Sequence, residues 1–268
     1  YWVDAAGGSA PVRMVRQPEQ SLPTLRFFSP GSVAQSLHDL TRLVERGEVP
    51  TKINLGGDYS AKVLLPVLHH LAAYWGPAPP QREHQRHAVK TRIAVLHGFD
   101  ECFSVFAGQV ARLGMERNAE SWVVENVSLG GFGAGVADLA VDWLKIGVLL
   151  SIQPEGGNNW VLGVVRRFNK DSDDHASVGI KALSRQALSI ELRPRTSGFS
   201  ATGAVPGIWL REDNAPGETR VVLPATSFMV RENLEFEQDG RRYQLTPIEL
   251  LESGRTFEIG RYREQVLD

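Results

Sequence analysis

A proline-rich run, Gly76-Pro77-Ala78-Pro79-Pro80, divides this sequence into two parts with different hydrophobic patterns. Proline has a fixed φ angle and no amide hydrogen, so three prolines in four positions stop a helix or a central strand. Before the run, apolar residues recur every three to four positions, and after it short β-rich runs alternate with turns. The sequence therefore predicts a helical segment, a linker and then β-rich structure.

The part before the linker is predicted to hold an irregular arm and two amphipathic helices. Residues 1–30 are rich in Gly, Pro and Gln with isolated hydrophobic residues, which is typical of an extended arm. Helical spacing of apolar residues begins at Ser32 and ends at Gly47, and it returns from Tyr59 to Trp75. We assign residues 1–76 to this arm and helical segment, and residues 77–81 to the linker.

The part after the linker is predicted to form two successive β domains, each a barrel or a sandwich. Turn residues separate the strands of the first group from one another, and the clearest hairpin signal among them is Gly156-Gly157-Asn158-Asn159. The strands predicted in it are Arg92–Leu96, Trp122–Val127, Ile146–Ile152, Trp160–Phe168 and Ser177–Ala182. Those predicted in the second group are Ser189–Leu192, Gly207–Arg211, Thr219–Leu223, Ser227–Val230, Leu234–Glu237 and Arg242–Thr246.

Composition and charge limit the classes of protein to which the chain can belong. Its 268 residues are 42% hydrophobic, which is enough apolar material for a core without metal or disulfide support. The formal net charge is −2, so no extended basic field exists to hold long nucleic acid. The longest apolar runs are far shorter than the ~20 residues of a membrane-spanning helix, and we expect no membrane span.

The single cysteine, Cys102, cannot form an intramolecular disulfide, which favours a reducing compartment and a cytoplasmic location. Because the first residue is Tyr1 rather than Met, we also expect the sequence to be a piece of a longer polypeptide.

Two segments of the β-rich part have residue types suited to a phosphate-bearing ligand. Directly after the linker, Arg82 and Arg86 stand four positions apart. A guanidinium is a planar fork of donors that matches phosphate oxygens and also stacks on purine rings. The alternative is a solvated basic segment, since charge runs usually face solvent.

The second segment is Asn126-Val127-Ser128-Leu129-Gly130-Gly131, which follows an apolar strand. Asn and Ser side chains form turns and can bond a base edge, while glycine lets main-chain N–H groups approach a ligand closely. The alternative is an ordinary tight turn that needs glycine only for its backbone conformation.

Together the two segments resemble the PilZ family, which is marked by Arg-x-x-x-Arg, a strand, and then Asp/Asn-x-Ser-x-x-Gly. The pattern is met by Arg82, Arg86, Asn126, Ser128 and Gly131. The later run Gly163-Val164-Val165-Arg166, followed by Gly179-Ile180, resembles paired strands of the same family. The resemblance covers roughly residues 82–192.

The resemblance implies a six-stranded antiparallel β-barrel at residues 82–192 and says nothing about either flank. The residue patterns of the flanks complete the prediction of a mainly β fold, in which an α-helical N-terminal part precedes the barrel. A second β-rich, barrel- or sandwich-like domain follows it at residues 193–268. The resemblance also implies a receptor for cyclic di-GMP, in which Arg82 and Arg86 clamp the phosphates and stack on guanine. Asn126, Ser128 and the main chain at Gly130 and Gly131 would then read a guanine edge. Arg166 and Trp160 are implied to line the same surface.

We prefer Arg166 to Arg167, because strand alternation gives each face of the strand only one of them. The chain departs from the family in the 40 positions between Arg86 and Asn126, a longer interval than usual. The excess near residues 111–121 is predicted to be a long hairpin tip or a helical insertion. Gln81, before the first arginine, carries no charge, so the number of bound dinucleotides stays open.

Patterns for enzymes and metal sites are incomplete. The loop that begins Gly131-Phe132-Gly133 lacks the last glycine of a dinucleotide-binding fingerprint, and no helix pattern follows Ser128 as a nucleophile elbow would require. The pair His84 and His87 has no carboxylate or thiolate partners at metal-site spacing. We therefore expect no catalytic residues, no metal and no cofactor. In this interpretation, ligand binding rearranges the domains and so passes a signal to a protein effector. The alternative is a degenerate barrel that serves only as a protein-interaction scaffold.

Overall fold

The computed structural model divides the chain into two compact units, Tyr1–Arg82 and Glu83–Asp268. It describes residues 1–7, 11–14, 22–29, 31–50, 57, 59–76, 84–109, 119–137, 142–172, 175–195, 203–212 and 214–267, with the side chains of residues 32, 171 and 172 excepted. The predicted linker, residues 77–81, lies outside these ranges.

The described part of the first unit has one strand pair and two helices. Strands β1 (Trp2–Asp4) and β2 (Leu25–Phe27) pair antiparallel. Helices α1 (Gly31–Glu45) and α2 (Ala61–Trp75) each contribute an apolar stripe to a shared cluster, whose buried members are Leu37, Val44, Leu64 and Leu68. In the described ranges we find no helix with the length and apolar character needed to cross a bilayer.

The second unit begins with a closed barrel of six antiparallel strands. These are β3 (His87–His97), β4 (Glu120–Ser128), β5 (Gly131–Ala137), β6 (Leu149–Pro154), β7 (Val161–Ser172) and β8 (His175–Ser184), and they close in the order β3-β4-β5-β8-β7-β6. Successive side chains of a strand face opposite sides of the sheet, so every second residue can enter the core. The interior is filled by apolar side chains that include Ile93, Trp122, Val124, Ala134, Val136, Ile152, Val165 and Val178.

A second closed barrel of six antiparallel strands follows. Its strands are β9 (Ala187–Pro194), β10 (Val205–Leu210), β11 (Glu218–Pro224), β12 (Leu234–Gln238), β13 (Arg241–Ser253) and β14 (Phe257–Leu267), in the order β10-β11-β14-β13-β12-β9. Its core is richer in aromatic residues, and Trp209 packs against both Phe236 and Tyr243.

A further apolar cluster joins the walls of the two barrels. Helix α3 (Phe99–Phe106) lies between β3 and β4 and buries Cys102 completely. The cluster draws side chains from α3 and from both barrels: Phe99, Cys102, Leu149, Leu162, Val164, Leu183, Ile208, Leu210, Val222, Phe257 and Ile259. Because both barrels bury residues in this cluster, they form one packed body.

The prediction of a mainly β chain is confirmed, and the β domain that the sequence left open as barrel or sandwich is a second barrel. The boundary between the barrels lies earlier than residue 192. Strand β9 pairs with β10 and β12, so the first barrel ends at Ser184. The predicted strand Ser227–Val230 is wrong, because this segment forms a loop from which Phe228 packs on Tyr262.

Candidate functional site

Residues from four strands and from the segment before β3 line a shallow depression on the outside of the first barrel. Its volume is about 250 Å³, and its lining consists of Arg86, Ser128, Gly130, Gly131, Arg166, Arg167, Gly179, Ile180 and Lys181. Four of these lining side chains are cationic, and none of the nine is acidic. The depression is therefore a local positive surface on a chain whose formal net charge is −2.

The β4–β5 turn forms one edge of the depression, and internal hydrogen bonds hold it. Ser128 Oγ donates to the carbonyl oxygen of Gly131 at 3.3 Å, and the N–H of Ala182 on β8 donates to the carbonyl oxygen of Gly130 at 3.0 Å. Gly131 has a φ of 155°, and a Cβ there would collide with the carbonyl oxygen of Ile180. The turn thus needs glycine at position 131 for steric reasons as well as for its backbone conformation.

A row of four residues crosses the sheet beside this turn. Asn126 on β4 pairs with Gly133 on β5, Gly133 pairs with Gly179 on β8, and Gly179 pairs with Arg167 on β7. A Cβ at Gly133 would lie 2.5 Å from Asn126 Nδ2, and one at Gly179 would lie 3.1 Å from Arg167 Cβ. The two glycines therefore leave room for their neighbours, so the Asn126 amide lies over Gly133 and the Arg167 side chain lies over Gly179.

Asn126 does not line the depression, but it begins the row that ends at Arg167. Its Oδ1 atom is buried and accepts no hydrogen bond from the residues that the structure describes. A buried acceptor without a partner is uncommon in folded proteins.

Arg86 lies next to the turn because of the register between β3 and β4. His87 pairs with Val127, so one further step along the same antiparallel ladder puts Arg86 opposite Ser128. The ring of His84 lies against Gly130, since a Cβ at that glycine would be 3.0 Å from His84 Cδ2. The other predicted clamp residue, Arg82, lies outside the described residues.

Both Arg166 and Arg167 line the depression, so the expectation of only one arginine on this face is wrong. In the β7–β8 ladder Val165 pairs with Ile180 and Arg167 pairs with Gly179, which leaves Arg166 as an extra residue. A β-bulge of this kind interrupts the alternation of side chains and re-aims the residues that follow it. Arg167 consequently faces outward, although simple alternation from the buried Val165 would turn it inward.

Trp160 does not line the depression. It precedes β7 and packs against a small apolar cluster formed by Leu96 and Val105, with Phe106 and Ala119 alongside. Its indole therefore covers the side of the barrel where α3 lies, and the structure does not bring it together with the arginines.

The second barrel reaches the depression through an ion pair. Arg166 Nη1 donates to Glu252 Oε1 on β13 at 2.7 Å, and Nη2 donates to Glu252 Oε2. The side chains of Arg166 and Glu252 retain 39% and 23% of their accessible surface, so the pair is partly exposed.

A second link runs through the turn between the barrels. Arg185 Nη2 donates to the carbonyl oxygen of Leu129 at 2.8 Å, while the Arg185 N–H donates to Glu212 Oε2 at 2.6 Å. Glu212 follows β10, so one side of the β4–β5 turn is supported from the second barrel.

No protein-family model, curated protein or solved structure matches the chain. Within the described ranges, no three His, Cys, Asp or Glu side chains gather in a way that could hold a metal ion.

The sequence reasoning missed three charged residues, of which Lys181 and Arg167 line the depression and Glu252 pairs with Arg166. Lys181 directly follows the Gly179-Ile180 pair that supported the PilZ resemblance, so its position could have been proposed from the sequence. Arg167 required knowledge of the bulge, and Glu252 lies 86 positions from Arg166 in another barrel. Neither position carries a local sequence signal for its contact.

Proposed function

We propose that this chain is a receptor for cyclic di-GMP and that its first barrel is PilZ-like. The observation that carries the proposal is that Arg86 and the Ser128–Gly131 turn, more than 40 positions apart in the sequence, line one depression together with three further cations. The resemblance of the sequence motifs supplies the identity of the ligand, and the charge of the depression supports it.

The chemistry of the depression suits this ligand. Cyclic di-GMP carries two phosphodiester groups, and four cations line the depression. Guanidinium groups bind phosphate oxygens through two parallel hydrogen bonds and can stack on purine rings. We propose that Arg86, Arg167 and Lys181 bind the phosphates, and that Ser128 and the turn backbone contact a guanine.

The row that begins at Asn126 extends this surface. The Asn126 amide lies over Gly133, and the Arg167 side chain lies over Gly179, so both polar groups rest on the sheet backbone where a Cβ would otherwise stand. The buried Oδ1 of Asn126 accepts no hydrogen bond from the described residues, and a rotation of the amide toward the ligand would offer it to a guanine N–H. We propose that a guanine lies against this polar row and that Asn126 contributes to its selection.

The depression is small for a dinucleotide, since pockets for small ligands usually measure roughly 300–1,000 Å³. We therefore propose that the ligand also contacts the arm that begins at Arg82. Because this arm directly follows the linker, binding there would alter the arrangement of the flanking parts and pass the signal to a protein effector. The protein acts in this scheme as a receptor and not as an enzyme.

Isothermal titration calorimetry with cyclic di-GMP tests the proposal directly. We expect saturable binding of cyclic di-GMP, and much weaker binding of cyclic di-AMP and GTP, because only cyclic di-GMP presents both guanine edges and two bridging phosphates. Absence of heat with cyclic di-GMP, confirmed by the absence of a ligand-dependent shift in the unfolding temperature, would refute the receptor role. That result would favour the alternative function, a protein-interaction scaffold.

A further inference from the structure

The ion pair between Arg166 and Glu252 connects the depression to a part of the chain outside the first barrel. Arg166 lines the depression, whereas Glu252 stands on β13 of the second barrel. The contact is bidentate, with each terminal nitrogen of the guanidinium donating to a different carboxylate oxygen. Pairs of this geometry are more directional than a contact between two point charges.

A bulge in each barrel aims one partner of this pair. Arg166 is itself the extra residue of the β7–β8 bulge, between the paired residues Val165 and Arg167. On β13 the ladder shifts between Leu250 and Glu252, so the exposed Leu251 is the extra residue and Glu252 follows it. Bulges commonly re-aim side chains next to functional sites. Each partner of the Arg166–Glu252 contact thus lies at a β-bulge of its own strand.

The pair occupies donors that a ligand phosphate would otherwise use. A guanidinium has five N–H donors, and the carboxylate takes one from each terminal nitrogen. A phosphate bound at Arg166 would also bring a second negative charge close to the Glu252 carboxylate, and like charges in contact repel. Because the pair is partly exposed, Arg166 can exchange one anionic partner for another without a large cost of desolvation.

We propose that Glu252 competes with the ligand phosphate for Arg166, so that the second barrel sets the affinity of the depression. This inference rests on the proposed binding of cyclic di-GMP. When the phosphate takes Arg166, the contact between the barrels at Glu252 is lost. By thermodynamic linkage, a change that strengthens the Arg166–Glu252 contact weakens ligand binding by the same factor.

Calorimetry on the full chain with Glu252→Gln tests the competition. The substitution keeps the shape of the side chain and removes its charge, so we expect tighter binding of cyclic di-GMP, within the roughly 5–150-fold range of typical couplings. The matched control is Glu249→Gln on the same strand. Glu249 pairs with Arg261 at 2.9 Å and does not contact Arg166, so its substitution should leave the affinity unchanged.

The same substitution in a chain that lacks Arg166 distinguishes competition for Arg166 from a general effect of the lost charge on affinity. In an Arg166→Ala chain, the Glu252→Gln substitution should no longer alter the affinity, because the group for which the two anions compete is absent. An equal gain in affinity in this background would overturn the proposal. Unfolding curves of all variants show whether each chain is folded at the temperature of the titration.

The outcomes distinguish this inference from the proposed function. Binding by the wild-type chain, with equal or weaker binding by Glu252→Gln, overturns the competition and leaves the receptor role intact. Tighter binding by Glu252→Gln than by the wild type, with unchanged binding by Glu249→Gln, supports the competition. If neither folded chain binds cyclic di-GMP, the receptor role fails and this inference fails with it.

Discussion

Gly133 on β5 and Gly179 on β8 lie directly opposite each other, and a neighbouring polar side chain covers each of them on the outside of the first barrel. The Asn126 amide lies over Gly133, and the Arg167 side chain lies over Gly179. Two residues of the proposed site thus occupy space that depends on the absence of Cβ atoms. Substitutions of glycine and of polar residues should consequently affect different properties, stability in one case and affinity in the other.

Arg86→Ala should weaken the binding of cyclic di-GMP. A hydrogen bond to a charged group contributes about 1.5–3 kcal/mol, so we expect the dissociation constant to rise roughly 10- to 150-fold by calorimetry. Arg92→Ala is the control, because Arg92 stands on β3, which begins directly after Arg86, but lines a separate depression with Glu120 and Gly156. We expect Arg82→Ala to behave like Arg86→Ala. Unchanged affinity in both variants would contradict the phosphate clamp.

Asn126→Ala should lower affinity with little effect on stability. Its buried Oδ1 accepts no hydrogen bond from the described residues, so the folded protein loses no such bond when the amide is removed. Denaturant unfolding should show a change of less than about 1 kcal/mol, while calorimetry should show weaker binding of cyclic di-GMP. A large loss of stability with unchanged affinity would make Asn126 a structural residue.

Gly131→Ala should destabilise the first barrel. A Cβ at this position would collide with the carbonyl oxygen of Ile180, which is main chain and cannot rotate away. Backbone strain of this kind costs about 1–3 kcal/mol, and the collision adds to it. The free energy of unfolding in denaturant measures the effect, with Gly203→Ala as control because a Cβ there meets nothing within 4 Å. Equal stability of the two variants would contradict the steric role of Gly131.

Cys102 should resist thiol reagents in the folded chain. Burial in the cluster between the barrels raises the pKa of its thiol from 9.0 to about 12, so almost no thiolate is present at neutral pH. Reaction with a disulfide reagent should be slow under native conditions and fast in denaturant. Rapid native labelling would mean that the cluster opens readily.

The same shift predicts how stability depends on pH. Between pH 9 and 12 the unfolded chain loses the Cys102 proton that the folded chain keeps, so the free energy of unfolding should fall as pH rises. The contribution is at most about 1.4 kcal/mol per pH unit. When the free energy of unfolding is measured across this range, its fall with pH should be less steep for Cys102→Ala than for the wild type. An identical slope would assign the dependence to other groups, such as Tyr262, whose pKa burial also raises.

Local patterns were sufficient to predict the β class and several features of the depression. Alternating apolar residues and turn glycines indicated the strands, since side chains on a strand alternate between two faces. The Ser128–Gly131 turn was identified because glycine and serine have specific backbone and hydrogen-bonding properties. The segment Ser227–Val230 shows the limit of this reasoning, because its apolar residues match a strand although they lie in a loop.

By itself the sequence determined that the chain after the linker is β-rich, and it identified several residues that line the depression, among them Arg86, Ser128 and Gly131. The tertiary structure alone decided that Arg166 and Arg167 both line the depression, that Trp160 packs elsewhere, and that Glu252 meets Arg166. The physical reason is that periodicity is a local property of a strand. Bulges, register and contacts between barrels arise instead from the pairing of segments that are far apart in the chain.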